Sequence, residues 1–366
     1  MMTTADHAAW MTRALFVAER GRGRTNPNPL VGAVVVSPRG VVVGQGAHLV
    51  AGGPHAEVHA LRDAGEAARG ATLYCTLEPC CHIGRTGPCT ERIIAAGIRR
   101  VVTAIEDPNP RVSGGGHLQL RGAGIEVITG VLEEDAARQN APFLTWITHD
   151  RPWTVVKTAV SADGYVGRHG GQGRQPMGSF RLTSPITDRW MHRQRAWIDA
   201  IAVGADTVLA DDPLLTARGA WRPRPLTRVI VDWRGRVPST AAVYSTQSAG
   251  PVIMVGLDTV PAAHRAALRA RGVDVELFES RHLAAVAEFL ADRNVQSLLV
   301  EGGPTLQQAW IEAGLVDAVQ CVQTSAVLGG GVPVAPALAR WIAARTPTRQ
   351  SGPDSVIDGA WEGTWC

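Results

Sequence analysis

A histidine, two cysteines and a glutamate in three short segments constrain this chain more than any other feature. The segments read His55-Ala56-Glu57, Pro79-Cys80-Cys81 and Pro88-Cys89. One imidazole and two thiolates make a three-ligand zinc site, which keeps a position open for water and lowers the pKa of that water to about 7. Glu57 follows the histidine by two residues and can move protons for the water without binding the metal. The pattern predicts a catalytic zinc site with ligands His55, Cys80 and Cys89.

A structural zinc cluster is the alternative interpretation of these segments. Such a site requires a fourth cysteine or histidine ligand, and Cys81 and His82 are available. Adjacent residues rarely bind one metal together because their side chains diverge, so we expect Cys81 and Cys75 to be buried or to line the site. A structural cluster would also have no use for Glu57, whose spacing from the histidine is typical of zinc nucleobase deaminases.

Hydrophobic periodicity divides the chain near residue 150. Before it, the element order αββαβαβα predicts a three-layer α/β/α domain, with its last helix spanning residues 132–145. After it, apolar strands alternate with helices, which predicts a second α/β domain around a mostly parallel sheet. We therefore expect domains at residues 1–148 and 149–366, with a mobile glycine-rich loop at 167–178.

Composition excludes several classes of partner. The net charge is +3 among 366 residues and there is no basic tract, which argues against nucleic acid. No apolar run approaches the roughly 20 residues that cross a bilayer, so we expect no membrane partner. The chain starts without the pattern of a secretory signal, and four of its six cysteines cluster around the metal motif. A cytoplasmic location follows.

Three segments of the first domain resemble one family. Residues 76–89 (TLEPCCHIGRTGPC), 27–32 (PNPLVG) and 106–110 (EDPNP) are similar to the bifunctional deaminase–reductase family of riboflavin biosynthesis. In general cytidine deaminases two residues separate the cysteines, whereas eight separate Cys80 from Cys89 here, as in the riboflavin family. The resemblance implies a cytidine-deaminase-like domain and hydrolytic deamination of 2,5-diamino-6-(5-phosphoribosylamino)pyrimidin-4-one. It implies substrate contacts from Asn28, His48, His82 and Arg85. Asn28 as a turn cap and Arg85 as a solvated charge remain alternatives.

The second domain contains a segment that can bind an anion. Residues 298–305 (LLVEGGPT) predict a buried strand that turns through two glycines into a helix with Pro304 in its first turn. A simple tight turn is the alternative. Residues 157–164 (KTAVSADG) and 203–218 (VGADTVLADDPLLTAR) resemble the reductase domain of the same family, which has a dihydrofolate-reductase-like α/β fold.

The reductase resemblance implies NADPH as hydride donor and reduction of the ribosyl group to a ribityl chain. The residues implied for the cofactor are Ala159, Thr207, Asp211, Gly303, Pro304 and Thr305. Those implied for the substrate, with the arginines on its phosphate, are Ser179, Arg195, Leu215, Arg218 and Glu301.

One residue departs from the family pattern. Arg181 stands where the family usually has a tryptophan that packs at the cofactor. A degenerate reductase domain, or a specialised pathway to a flavin-like or pteridine-like metabolite, therefore remains open, as does a zinc-binding structural or RNA-editing module. The family association also leads us to expect a homo-oligomer.

Overall fold

The computed structural model describes residues 4–82, 87–109, 113–168 and 182–362. The chain divides between Asp150 and Arg151 into two compact units. Across the described residues, no helix combines the length and the apolar character that a bilayer crossing requires.

The first unit is a mixed sheet with helices on its two faces. Its elements in chain order are α1 (Thr4–Ala18), β1 (Gly32–Val36), β2 (Val42–Ala47), α2 (Ala56–Ala64), β3 (Thr72–Leu77), α3 (Cys89–Ala95), β4 (Arg100–Ile105), α4 (Gly115–Gly122), β5 (Glu126–Ile128), α5 (Glu133–Gln139) and α6 (Ala141–His149). In the described residues the strand order is β2-β1-β3-β4-β5. β1 is antiparallel to both neighbours, and the other pairs are parallel. Every residue of β1 and β3 is buried, as central strands require.

Glycines let two helices lie directly on opposite faces of this sheet. A Cβ on Gly32 would stand 2.0 Å from the carbonyl oxygen of Ala14 in α1, and a Cβ on Gly46 would stand 2.5 Å from that of Ala56 in α2. Gly46 pairs with Ala33, the neighbour of Gly32 on β1. Because successive strand residues point to opposite faces and paired residues to the same face, α1 and α2 cover opposite faces. The predicted three-layer α/β/α arrangement is confirmed.

The single helix predicted for residues 132–145 is wrong. Two helices, α5 and α6, occupy this region and meet at Asn140. The buried Asn140 side chain accepts a hydrogen bond from the Leu30 N–H (2.8 Å) and donates one to the Leu30 carbonyl (2.9 Å). Pro142 is in the first turn of α6, where the missing N–H costs nothing. A tertiary contact to a distant turn therefore ends α5, and α6 continues to His149.

The second unit is built on a longer sheet. Its elements are β6 (Trp153–Val160), β7 (Tyr165–Gly167), α7 (Pro185–Arg195), β8 (Ala200–Gly204), α8 (Ala205–Asp211), β9 (Thr227–Val231), β10 (Val252–Leu257), α9 (Ala262–Arg269), β11 (Asp274–Phe278), α10 (Leu283–Asp292), β12 (Ser297–Val300), α11 (Pro304–Glu312), β13 (Ala318–Gln323), β14 (Val332–Pro333), α12 (Pro336–Ala343), β15 (Arg349–Ser351) and β16 (Asp354–Ala360). In the part of the chain described, the main sheet runs β11-β10-β9-β8-β12-β6-β13-β16-β15. It is parallel from β11 to β13 and antiparallel at β16 and β15.

Alternate residues of these strands enter two separate cores. Ala200 and Ala202 of β8 pack in one hydrophobic cluster with Trp310 and Leu338, whereas the intervening Ile201 belongs to the other cluster. The sheet is therefore covered on both faces, as expected for parallel strands. The predicted α/β class holds for both units, and the strands beyond residue 317 had no counterpart in the sequence reading.

A partly buried ion pair joins the starts of β6 and β13. The Arg151 guanidinium donates to both carboxylate oxygens of Asp317 at 2.7 Å, and the Thr154 N–H donates to the same carboxylate at 2.7 Å. Both charged side chains are less than one-fifth exposed. The pair fixes how two neighbouring parallel strands begin.

We predict that Asp317→Ala destabilises the second unit by about 2 kcal/mol, because it leaves a guanidinium and an N–H without their acceptor. Differential scanning calorimetry should show the melting transition of this unit about 5 °C lower. Asp274→Asn, which removes the exposed pair with Arg293, is the control and should change it little. An equal shift in both variants would contradict the prediction.

Candidate active sites

The three predicted metal ligands meet at two helix N-termini beside the first sheet. His55 is the N-cap of α2, Cys89 is the first residue of α3, and Cys80 lies in the segment that follows β3. Nδ1 of His55 is 3.5 Å from Sγ of Cys80 and 3.3 Å from Sγ of Cys89. All three ligand atoms lie within 4.8 Å of one another. The structure therefore brings together the residues that the motif spacing indicated.

These distances fit a zinc ion. Zinc binds nitrogen at about 2.0 Å and sulfur at about 2.3 Å, so a tetrahedral arrangement separates nitrogen from sulfur by about 3.5 Å. The same nitrogen, Nδ1, faces both sulfurs, which a single ion requires. The Cys89 N–H also donates to Sγ of Cys80 at 3.4 Å. A thiolate is the form that zinc binds, and an N–H donor stabilises it.

The charges around the three ligands favour a thiolate at Cys80. The hydrogen bond from the Cys89 thiol lowers the pKa of Cys80 to about 4, and His55 acts in the same direction. The hydrogen bond with Cys80 raises the pKa of His55. Glu57 is buried in the first turn of α2 and interacts with the Cys89 thiol, and burial raises its pKa. A carboxyl group that can hold a proton thus lies beside the ligand cluster.

A cavity of about 480 Å³ opens onto this cluster. Its lining includes His55, Glu57 and Cys80. It also includes three of the four residues expected to bind the substrate, Asn28, His48 and His82. The fourth, Arg85, lies outside the described residues. Cys75 is fully buried and Cys81 half-buried, and neither appears in the lining.

Both ring nitrogens of His48 are engaged by the protein. Nδ1 lies 3.1 Å from the carbonyl oxygen of Pro54, and Nε2 lies 3.1 Å from Nδ2 of Asn28. Burial lowers the pKa of His48, so the ring is neutral: Nδ1–H donates to Pro54 and Nε2 accepts from the Asn28 amide. The Asn28 amide group is thereby oriented by His48, which itself has no ring nitrogen left for a ligand.

The cavity also has a wall that the sequence reading missed. Phe143, Trp146 and Ile147 of α6 line it. Their i, i+3, i+4 spacing was a visible signal, but the helix was expected to end at residue 145. Asp107 and Asn109 line it as well, and burial raises the pKa of Asp107 to about 6. They belong to the EDPNP segment, which supported the resemblance without being assigned a site.

In the second unit, charged residues meet at the carboxyl ends of parallel strands. Glu301 directly follows β12, and its N–H donates to the carbonyl of Ala202 in β8. Its carboxylate accepts from Nε of Arg195 at 3.0 Å and from Nη2 of the same guanidinium. Lys157 of β6 completes the cluster, with Nζ 3.6 Å from Glu301. Ligands of open α/β sheets bind at this edge.

The pKa values in this cluster reflect burial and mutual charge. Burial alone would raise the pKa of Glu301, but Lys157 and Arg195 outweigh it and lower the pKa to about 2. Burial lowers the pKa of Lys157. Nε and Nη2 of Arg195 form a bidentate pair of hydrogen bonds with the Glu301 carboxylate, and its Nη1 donates to the Thr216 carbonyl. Lys157 is the first residue of the KTAVSADG segment, and the family resemblance did not imply a site role for it.

The two-glycine turn before α11 makes a close backbone contact. A Cβ on Gly302 would stand 2.9 Å from the Gly204 nitrogen, and the Gly303 N–H donates to Oγ1 of Thr207 at 2.8 Å. Gly303 is the N-cap and has no side chain to cap the helix. Pro304 has no N–H and the Leu306 N–H donates to the Gly303 carbonyl at 3.1 Å, so Thr305 supplies the N–H group of this turn that can meet a ligand. A phosphate-bearing cofactor such as NADPH fits this turn.

The other residues expected in the reductase site are placed individually. Ala159 shares a face of β6 with Lys157, and Asp211 ends α8. Leu215 is buried with φ of +54°, a strained conformation for leucine, and the Arg218 N–H donates to Nδ1 of His192 on α7. Pro304 and Thr305 begin α11. Ser179 and Arg181 lie outside the described residues.

Two family descriptions match the two units. Residues 4–105 match the cytidine and deoxycytidylate deaminase zinc-binding region, and residues 152–340 match the RibD C-terminal domain. A riboflavin biosynthesis protein RibD from Aquifex aeolicus is 40% identical over 325 residues, covering 89% of this chain and 88% of the relative. The chain belongs to the RibD family. The RibD of Escherichia coli is 39% identical and covers 84% of each chain.

Solved structures agree along nearly the whole chain. RibD of Acinetobacter baumannii has a TM-score of 0.83 at 34% identity, covering 97% of this chain and 99% of its own. A Thermotoga maritima deaminase/reductase has a TM-score of 0.81 at 33% identity, covering 97% and 98%. The chain is therefore a bifunctional enzyme of riboflavin biosynthesis, with a zinc-dependent deaminase domain and an NADPH-dependent reductase domain. The sequence prediction of function and cofactors is confirmed, and the structural or RNA-editing module is excluded.

We predict that Glu301 makes the second unit sensitive to acid. Its pKa is about 2 when folded and about 4.5 when free, so its contribution to stability is complete above pH 4.5 and is lost as the pH falls toward 2. Calorimetry from pH 6 to 3 should show the melting temperatures of wild type and Glu301→Gln converging. Glu312→Gln, on the exposed side of α11, should follow wild type. A constant gap would refute the prediction.

Proposed function

We propose that the first unit hydrolytically deaminates 2,5-diamino-6-(5-phosphoribosylamino)pyrimidin-4-one and that the second reduces the ribosyl group of the product to a ribityl chain. The Thermotoga relative is titled a diaminohydroxyphosphoribosylaminopyrimidine deaminase and 5-amino-6-(5-phosphoribosylamino)uracil reductase. The observation that carries the proposal is the cluster of His55, Cys80 and Cys89, whose first two members line one cavity together with Glu57. We assign deamination to residues 1–148 and reduction to residues 149–366.

In the first site we assign His55, Cys80 and Cys89 as the zinc ligands and Glu57 as the catalytic residue. Zinc held by three protein ligands lowers the pKa of a coordinated water to about 7, which supplies a nucleophile at neutral pH. The Glu57 carboxylate accepts a proton from the attacking water and passes it to the ring nitrogen. A second proton goes by the same carboxyl group to the amino nitrogen, which leaves as ammonia while the ring carbon gains a carbonyl.

The cavity walls suit a flat, polar ring. Asn28, oriented by His48, presents its amide oxygen as an acceptor for a ring amino or N–H group. His82 stands at the exposed rim and Asp107 on the buried side. Phe143 and Trp146 supply the apolar surface against which a pyrimidine packs. We propose Asn28, His82, Asp107, Phe143 and Trp146, with Arg85, as the residues that contact the substrate, and His48 as the residue of the site that orients Asn28.

In the second site NADPH supplies the hydride, and we assign its binding to Ala159, Thr207, Asp211 and residues 303–305. Reduction also needs a proton, and Lys157 is the buried acid beside Glu301. Glu301 holds both Lys157 and Arg195 in place. We assign the substrate to Ser179, Arg195, Leu215, Arg218 and Glu301. We assign the phosphate of the substrate to the two arginines, Arg195 and Arg218.

We also propose a cytoplasmic location. The described cysteines, Cys75, Cys80, Cys81, Cys89 and Cys321, are all free thiols, which suits a reducing compartment. A homo-oligomer and the lack of nucleic-acid and membrane partners stay predictions.

Glu57→Gln should lower deamination about 10²- to 10⁴-fold, because the amide cannot carry the proton. Ammonia release from the aminopyrimidine phosphate measures it. Zinc content should stay near wild type, and so should NADPH oxidation when 5-amino-6-(5-phosphoribosylamino)uracil is supplied as the substrate. Glu66→Gln, on the exposed turn after α2, is the matched control. Unchanged ammonia release in Glu57→Gln, or none from zinc-loaded wild type, would overturn the proposal.

Gly302→Ala should impair reduction and spare deamination. Its Cβ would collide with the backbone of Gly204 and with Leu306 at the carboxyl ends of the strands. We expect the KM for NADPH to rise about tenfold or more, which corresponds to the low end of overpacking costs. Gly167→Ala, where a Cβ meets nothing within 4 Å, is the control. Wild-type NADPH kinetics in Gly302→Ala would count against this assignment.

A further inference from the structure

A buried carboxylate stands directly before the first cysteine segment. The Glu78 side chain is fully buried and accepts four backbone hydrogen bonds. Oε2 accepts from the N–H groups of Asp107 (3.2 Å) and Gly114 (3.0 Å), and Oε1 from those of Gly116 (2.9 Å) and His117 (3.1 Å). One side chain thus joins the segment that carries Cys80 to the EDPNP segment and to the start of α4. The deamination steps do not use it.

Three consecutive glycines, residues 114–116, pack against the segment that carries Cys80. A Cβ on Gly116 would stand 2.1 Å from the carbonyl oxygen of Pro79, and a Cβ on Gly115 would stand 2.9 Å from Sγ of Cys81. Gly114 has φ of +72°, which glycine adopts without strain. Gly116 therefore lies against the backbone of Pro79 and Gly115 against the side chain of Cys81, the residues on either side of Cys80. This contact explains why residues 115 and 116 are glycines.

Helix α4 also contacts the segment that carries Cys89. The Thr90 N–H donates to the Cys80 carbonyl at 3.2 Å, and its hydroxyl donates to Oε1 of Gln119 on α4 at 2.6 Å. Thr90 is the neighbour of Cys89. α4 thus contacts both segments that bring the sulfurs together.

We propose that Glu78 is a positioning residue for zinc, whose carboxylate holds the Cys80 segment against residues 114–116 at the start of α4. This inference rests on the proposed zinc ligands. Four N–H donors aimed at one buried carboxylate leave it a single orientation, so the backbone before Cys80 has one position relative to α4. Groups that orient metal ligands commonly contribute 10- to 100-fold to metal affinity or activity.

Two variants remove the contact in different ways. Glu78→Gln replaces one oxygen by an NH2 group, which faces N–H donors and cannot accept from them. Gly116→Ala places a methyl group against the Pro79 carbonyl, although alanine is favoured over glycine in a helix. The controls are Glu106→Gln, an exposed carboxylate of the EDPNP segment, and Gly122→Ala, at the end of α4 where a Cβ meets nothing within 4 Å.

The experiment uses the full chain loaded with Co²⁺ in place of zinc. We expect Glu78→Gln and Gly116→Ala to change the visible absorption of the bound cobalt and to lower zinc affinity in a chelator competition at least tenfold. Deaminase kcat should fall in both variants, while NADPH oxidation stays at wild type when the deaminated product is supplied as the substrate. Both control variants should keep the wild-type cobalt spectrum.

The outcomes separate this inference from the proposed function. Folded variants that keep the wild-type cobalt spectrum and zinc affinity would overturn the inference, even if they melt at a lower temperature. If Glu78→Gln does not fold, Gly116→Ala decides. A wild-type chain that binds no stoichiometric cobalt through thiolates would instead overturn the zinc ligands.

Discussion

The close approach of α2 to the first sheet is the constraint on which the deaminase site depends. Gly44 and Gly46 of β2 have no Cβ, and a Cβ at either position would overlap the backbone of α2. The helix can therefore lie directly on the strand. Its N-terminus carries His55 as the N-cap and Glu57 in the first turn. Because α2 is held at backbone contact, the imidazole and the carboxyl group reach the sulfurs that follow β3 and begin α3.

The order of the strands in the second sheet shapes the reductase site. β12 lies between β8 and β6, so the residue that follows β12 lies beside both neighbouring strands. Glu301 occupies this position and gathers Lys157 and Arg195 around one carboxylate. The three charges are nearly buried, and their mutual attraction offsets the cost of removing them from water. The two-glycine turn before α11 lies at the same edge of the sheet. The charged cluster and the start of α11 are therefore close together.

The metal motif was readable in advance because its chemistry is local. His55 and Glu57 are two residues apart, and each of Cys80 and Cys89 follows a proline. The alternation of strands and helices in both halves of the chain was also predicted, since it follows from hydrophobic periodicity. The division at Asn140 was not readable, because its cause is a pair of hydrogen bonds to Leu30, more than a hundred residues away. The apolar wall on α6 was missed for the same reason.

By itself, then, the sequence determined the ligand types, the zinc chemistry and the two α/β units, because these follow from residue identity, spacing and periodicity. The NADPH chemistry came from the resemblance of the second half to the reductase family. Only the tertiary structure decided which groups are already engaged. In the folded protein both ring nitrogens of His48 have hydrogen-bond partners, Pro54 and Asn28. Arg195 and Lys157 both lie against the carboxylate of Glu301. The tertiary structure also gave Glu78 its four donors. Such partners come from segments distant along the chain, and only their folding into contact decides whether a polar group serves a ligand or the protein itself.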